Sequence, residues 1–512
     1  MNNKKIIIVG AGPGGLTAGM ILSHRGFDVE IYEKDSEVGG RNKSIKIGGF
    51  TFDTGPTFLM LHFILQDMFR EAGRKAEDYL EFKRLDPLYR LQFKNQTIFP
   101  TPDRAKMKEQ IKKYFPGNEA GLDQFMEYES KRLEMLFPCL QKDYSSLSAF
   151  IDPIFLKAAP YLSAGRTLFG NLGRYFDKDD LKISFTFQSK YIGMSPWECP
   201  ALFTMLSYME YDYGIYHVTG GLSKISDAMA KVIIEEGGKI HLNSPVKQVI
   251  TEGRKVKGVL LENGEKKIAD DVIINADFSY AATNLFEEGV IRKYSAKKLE
   301  KKKYSCATFM LYLGLKKTYP LNHHNILFAA DYRKNVDAIF SGAPLGDDFS
   351  LYIQNPGVTD QTLAPAGKST FYVLVPIANN RSGIDWEKEK MPFREKVIDM
   401  IIEKTGFTDL RENIEVEKII TPQEWEKEYN VYIAAEFSMA HNLGNMLYMR
   451  PHNKYEELDH LYLTGGGTHP GSGLPTIYES GRISSNLLCK EYGVPFEAPR
   501  PLPFEKRISQ AD

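Results

Sequence analysis

The chain carries two glycine-rich loops, one near each end, and each follows a short apolar run and precedes a helical stretch. The first is "IIIVGAGPGGLTAG", residues 6 to 19, and the second is "LTGGGTHPGSGLPTIYESGR", residues 463 to 482. Such loops bring backbone against a phosphate or a flat ring, so a fold that uses both must bring the two ends of the chain together. At 512 residues the chain is too long for one core, and two or three domains are expected.

The first loop is the more explicit. Ile6 to Val9 is a β-branched run without alternation, the pattern of a parallel strand buried on both faces. Gly10, Gly12 and Gly15 follow in G-x-G-x-x-G spacing, with Ala11 and Gly14 between them, and a helix runs on toward Gly26. A second strand, "FDVEIYE", ends in Glu33. Strand, loop, helix, strand and acid together make a dinucleotide site. Gly10 allows the tight turn, Gly12 admits a pyrophosphate, Gly15 lets the helix pack, and Glu33 accepts from the ribose hydroxyls. Beyond it, "EKDSEVGGR" places Gly40 beside Arg41, whose guanidinium can meet the pyrophosphate, and "FTFDTGPT" offers Gly55, Pro56 and Thr57 to a ring. A nicotinamide enzyme does not need this second half, so FAD is the expected cofactor.

The second loop does not repeat the fingerprint, because Pro470 stands where the third glycine would be. Pro475 suits the first turn of a helix, whose free N–H groups and positive dipole end point back at the loop. That end suits a reduced flavin ring, with Gly467, Gly473, Leu474 and Thr476 as candidate contacts. Val246, in a meander turning at Asn263-Gly264, is a candidate for the adenine edge or an ordinary sheet residue. His469 is the weak catalytic candidate, either a proton acceptor or a loop histidine fixed by backbone bonds.

What composition excludes is brief. Net charge is −1, so no basic field points to nucleic acid. No metal spacing occurs among the ten histidines and four cysteines, and no G-x-S-x-G is present, which removes metal and hydrolase readings. No uninterrupted apolar run is long enough to span a bilayer, and the N-terminus lacks a secretory core, so a cytoplasmic protein is expected.

"GGR", "DTGP", "TGGLSKISDAMAKVIIEEGGKIHLNSPV" and "RPHNKYEELDHLYLTGGGTHPGSGLP", in that order, resemble the bacterial and fungal carotenoid desaturases, the phytoene dehydrogenase family. The resemblance implies an α/β (α+β overall) fold. Its Rossmann-type FAD-binding domain would be of the amine oxidase kind, drawn from residues 1–72, 217–288 and 456–495. A mixed-sheet substrate domain would come from 73–104 and 289–455, and a helical part from 105–216. It also implies removal of two hydrogens beside a polyene, a hydrophobic carotenoid substrate, and peripheral membrane contact. "IDPIFLKAAPYLSAGRTLFG", residues 151 to 170, would be either a membrane-surface helix or an interior one. The seven Lys or Arg between Arg292 and Lys303 would be a membrane-facing patch or a solvated helix face. With no second nucleotide motif, oxygen or a quinone is the expected electron acceptor.

Leu474, Thr476, Tyr478, Glu479 and Arg482 depart from the small apolar residues of phytoene desaturases, toward the branch that desaturates C3–C4 of an acyclic, 1-hydroxylated end. There Thr476, Tyr478 or His469 would meet the hydroxyl. Multistep desaturation of phytoene or diapophytoene is the alternative. A carotene isomerase, a flavin amine oxidase and a non-catalytic lipid carrier on the same fold are the rivals.

Glu33→Lys should abolish FAD retention without unfolding the chain. It removes charge-assisted bonds worth about 1.5–3 kcal/mol, more than tenfold in affinity. Flavin absorbance of the purified variant is the measurement, and wild-type content would place the ribose elsewhere.

Overall fold

The computed structural model describes residues 4–498, 500–503 and 507. At its centre is a five-stranded, all-parallel sheet in the order Lys239–His241, Asp28–Tyr32, Lys5–Val9, Asp271–Ile274 and Leu461–Leu463. Lys5–Val9 is covered on both sides, as its unalternating composition requires. Ile6 and Ile8 pack among helices, while Ile7 and Val9 pack against Val249, Val256 and Val259 of an antiparallel meander. That meander is Val246–Glu252, Lys255–Leu261 and Lys266–Ile268, turning at Gly264 as its sequence predicts.

Three helices cover the other face. The helix Pro13–His24 lies between Ser223–Glu235 and Leu474–Tyr492, and its residues Gly14 to Ser23 are all buried. It crosses the C-terminal helix very closely. A Cβ added at Gly481 would sit 2.7 Å from the Gly14 carbonyl oxygen and 2.8 Å from Thr17 Cβ.

A seven-stranded mixed sheet forms the second body. Its order is Ile414–Ile420, Ala307–Leu315, Ser369–Ile377, Leu351–Gln354, His324–Leu327, Arg90–Gln92 and Thr97–Ile98. Ala307–Leu315 is buried along its whole length. Its core is shared with the helix Trp386–Thr405 and with Phe50 and Phe52, which arrive from the hairpin of Ser44–Ile47 and Phe50–Asp53. The chain between residues 104 and 213 is helical, with Glu119–Leu140 its longest helix.

The large sheet grips the turn that follows this hairpin. The hydroxyl of Tyr312 donates to the Thr54 carbonyl at 2.6 Å, and that of Tyr372 to the Gly55 carbonyl at 2.8 Å. Tyr352 and the Thr57 hydroxyl meet at 2.8 Å. Each tyrosine comes from a different strand of the large sheet, so "DTGPT" is pinned three times over.

The stretch 151 to 170 is not one helix. It divides into Pro153–Ala158, a 3₁₀ turn Ala159–Leu162 and the start of Leu168–Leu172, broken where Ser163 adopts φ 50° and Gly165 φ 82°. The basic stretch is partly neutralised: Lys293 pairs with Glu456 and Lys303 with Glu198. No helix among the described residues is long and apolar enough to cross a membrane.

Gly481→Ala should destabilise the protein even though alanine is the better helix former. Overpacking costs about 1–3 kcal/mol and helix propensity returns at most about 1. A thermal melt reads the result, and an unchanged or higher Tm would mean that the two helices separate easily.

Candidate functional site

Register puts the site at one edge of the parallel sheet. Val9 lies opposite Tyr32 and Ile274, and Ile274 opposite Leu463. Gly10, Glu33, Asn275 and Thr464 therefore follow in a row at the carboxyl ends of four adjacent strands, where open α/β sheets bind their ligands. Asn275 fills the space between the two glycine loops. Its Nδ2 donates to the Gly10 carbonyl at 3.1 Å, and its Oδ1 accepts from Thr464 Oγ1 at 3.2 Å. A Cβ at Gly14 would lie 2.8 Å from Asn275 Oδ1 and 3.0 Å from the Gly465 backbone nitrogen. Gly10, at φ 96°, would place a Cβ 2.6 Å from the Asn275 carbonyl oxygen. The two loops touch, and only glycine fits where they do.

A continuous cavity of about 650 Å³ opens along this edge, in the size range of cofactor sites. Its polar end is bounded by Glu33, Lys34, Val246 and Glu262. Gly10, Gly12, Gly14, Gly40 and Arg41 bound its middle, facing Gly465 and Gly466. It passes Gly55, Pro56 and Thr57, then Gly473 and Leu474. It ends among Phe58, Tyr191, Phe328, Tyr332, Tyr352 and Leu374.

The lining fits an extended dinucleotide. Glu33 is 4% exposed, and its two oxygens accept the Ala11 N–H at 2.7 Å and the Asp35 N–H at 2.9 Å. Each oxygen keeps a lone pair for a ribose hydroxyl, although burial raises the carboxyl's pKa. Both glycine loops end in helices of more than ten residues whose N-cap residues, Gly12 and Gly473, supply no side-chain cap. Two uncapped N-termini therefore open on one cavity, each offering N–H groups and a positive dipole end to an anion. Arg41 lines the cavity between them, anchored by a bond to the Glu436 carbonyl.

Several sequence candidates lie off the cavity wall. Ala11 serves through its N–H to Glu33, and Gly15 packs the helix against its strand, a Cβ there meeting the Gly10 carbonyl oxygen at 2.4 Å. Gly467 abuts Phe278 and Ser438. Thr476 turns its hydroxyl back to the carbonyls of Gly473 and Gly471, at 2.9 and 3.1 Å. His469 is buried beside Tyr144 with Nε2 bonded to the Lys142 carbonyl at 2.8 Å, and burial pushes it down to about 3. It is a neutral loop histidine held by backbone, off the cavity wall. Tyr478 is fully buried in the helix interior, and Glu479 pairs with Arg482, which also binds Glu71 at 3.2 Å. None of the residues expected to greet a terminal hydroxyl lines the cavity.

Other cavity residues gave no signal in the sequence. Glu436 fronts the cavity, accepts from the Thr308 hydroxyl, and is pushed up to about 7 by burial. Lys190, whose pKa burial lowers to about 8, lies over the Tyr332 ring at 4.7 Å.

Comparison with known proteins agrees with this geometry. Residues 13–489 match the family of flavin containing amine oxidoreductases. A 4,4'-diapophytoene desaturase (4,4'-diapolycopene-forming) of Methylomonas sp is 54% identical over 496 residues, 97% of each chain. A zeta-carotene-forming phytoene desaturase of Myxococcus xanthus is 35% identical over 95% of this chain and 94% of its own. This chain belongs to the carotenoid desaturases, within the flavin containing amine oxidoreductase family. It is an FAD-dependent enzyme of the α/β class. An oxidoreductase from Methanosarcina mazei shares the fold, with a TM-score of 0.63 at 17% identity, covering 93% of this chain and 99% of its own.

Asn275→Ala leaves the buried Thr464 hydroxyl and the partly buried Gly10 carbonyl without this partner, at about 1–3 kcal/mol for the buried one, and frees the loops to part. Flavin content per protein should fall, and Asn275→Asp should lose more, since a carboxylate cannot donate to Gly10 and repels phosphate. Equal flavin content in all three proteins would remove Asn275 from the cofactor site.

Proposed function

We propose that the protein is an FAD-dependent multistep desaturase of an acyclic diapophytoene-type carotenoid. One observation carries the reading: the cavity runs unbroken from the nucleotide loops into an aromatic, largely apolar channel. FAD, when bound, supplies the hydride acceptor. Glu33 would hold its ribose, Gly12 and Arg41 its pyrophosphate, and the Gly55–Thr57 turn with Gly473 and Leu474 its ring. The aromatic wall would align the polyene and exclude water, so that hydride loss occurs where the positive charge left behind is delocalised.

The choice of substrate follows the Methylomonas relative and the site together. Desaturation at C3–C4 of a 1-hydroxylated end is the other reading, but none of Thr476, Tyr478 and His469 lines the cavity, and Thr476 and His469 bond to backbone carbonyls. Such an end would enter without the partner that selects it.

Peripheral membrane contact belongs to the same proposal. Leu147, Ile151 and Leu156 are 66%, 74% and 57% exposed within one short stretch, with Lys142 and Lys157 nearby. An apolar patch of this kind, set on broken helical turns, suits lodging in the headgroup region and drawing substrate from lipid. Reoxidation would fall to oxygen or a membrane quinone.

Expression in cells making 4,4'-diapophytoene, phytoene or 1-hydroxylated lycopene tests this directly. The first should yield coloured products lighter by two hydrogens per step. Conversion of the hydroxylated carotenoid alone would overturn the substrate assignment, and products of unchanged mass would mean isomerisation.

A further inference from the structure

Of the three tyrosines that pin the Thr54–Thr57 turn, two end on backbone carbonyls, and the third does not. Tyr352 meets Thr57 Oγ1 at 2.8 Å and His324 Nδ1 at 2.7 Å, and both Tyr352 and Thr57 line the cavity. His324 is 1% exposed, and its Nε2 has no hydrogen-bond partner among the described residues. Burial pushes its pKa down to about 3, so the resting ring is neutral. Two arrangements of protons use both contacts, and one of them leaves the phenol able to take up a proton. In that one, Thr57 donates to Tyr352 Oη, Tyr352 donates to His324 Nδ1, and a lone pair on Oη remains for the cavity. A phenol is a weak base alone, but it gains basicity when its own proton has somewhere to go.

We propose that Tyr352, backed by His324, accepts the proton that the carotenoid loses as each double bond forms. The inference rests on the desaturase reading above. One C–H bond breaks with its electron pair leaving as hydride to oxidised FAD. The neighbouring C–H bond breaks toward Tyr352 Oη while the phenolic proton passes to Nδ1, and the pair left between the carbons becomes the new double bond. The Tyr352–His324 pair gains one positive charge, which would balance the negative charge that a bound FAD takes up with the hydride, so the buried site would stay neutral overall. An acceptor of two electrons and two protons, oxygen or a quinone, then removes both together. Glu436 is the competing group on the cavity wall, but its contacts join it to Arg41 and Thr308, on the pyrophosphate side.

The experiment uses flavin-loaded enzyme in single anaerobic turnovers with 4,4'-diapophytoene, following loss of flavin absorbance. Tyr352→Phe should keep its flavin yet reduce it about 100-fold more slowly. His324→Gln should show the same loss as Tyr352→Phe, and it carries the test if the phenylalanine variant does not fold. Independently of turnover, ¹⁵N-histidine spectra of the resting protein should show His324 protonated on Nε2 and bare on Nδ1, with the Nδ1 signal shifting in Tyr352→Phe. A proton resident on Nδ1, or reduction by Tyr352→Phe at the wild-type rate, would overturn the proposal. If wild type itself fails to reduce its flavin with the carotenoid, the desaturase reading falls instead, and the spectra still decide the hydrogen-bond direction.

Discussion

The structure depends on a single amide. Asn275 donates to the first glycine loop and accepts from the threonine that opens the second, and both loops approach it closely enough to exclude any side chain. The parallel register makes this possible, because the strands bearing Gly10, Asn275 and Thr464 end level with one another. Everything that shapes the polar half of the cavity follows: the direction of two helix N-termini, the place of Glu33 against Ala11, and the exposure of Arg41.

The apolar half depends on a second junction. Tyrosines from three strands of the large sheet converge on the Thr54–Thr57 turn, so the channel wall is fixed relative to that turn, which packs against Arg41. Hydride transfer is sensitive to donor–acceptor distance, and under the proposed function a rigid link between the cofactor end and the apolar channel would supply that control.

Much of this was legible because it is local. The G-x-G-x-x-G spacing, the unalternating strands, the Asn263-Gly264 turn and the proline in the last helix each state their geometry within a few residues. What was not legible is long-range. Asn275 reads only as the end of a strand, and nothing near it names Gly10 or Thr464 as partners. Tyr352 is one of 28 tyrosines until the sheet brings it to Thr57 and His324. Thr476 and Gly467 failed as cavity contacts for the complementary reason. A loop's residue types fix that it is tight, whereas the side that each residue shows to the ligand depends on what packs behind it. The stretch 151 to 170 has helical composition, but Ser163 and Gly165 in left-handed backbone break it.

The order of strands in the parallel sheet bears on how the protein is made. Its central strand is made well before its neighbour at residues 271–274, and the edge strand that leads into the second glycine loop comes only at 461–463. Until then the N-terminal hairpin of strand and helix has an apolar flank with no cover, since the helix that crosses Gly14 begins at Leu474. The site therefore cannot close until the residues from Leu461 to the last helix have been made. The half of the site made first must wait, with its apolar flank bare, for the half made last.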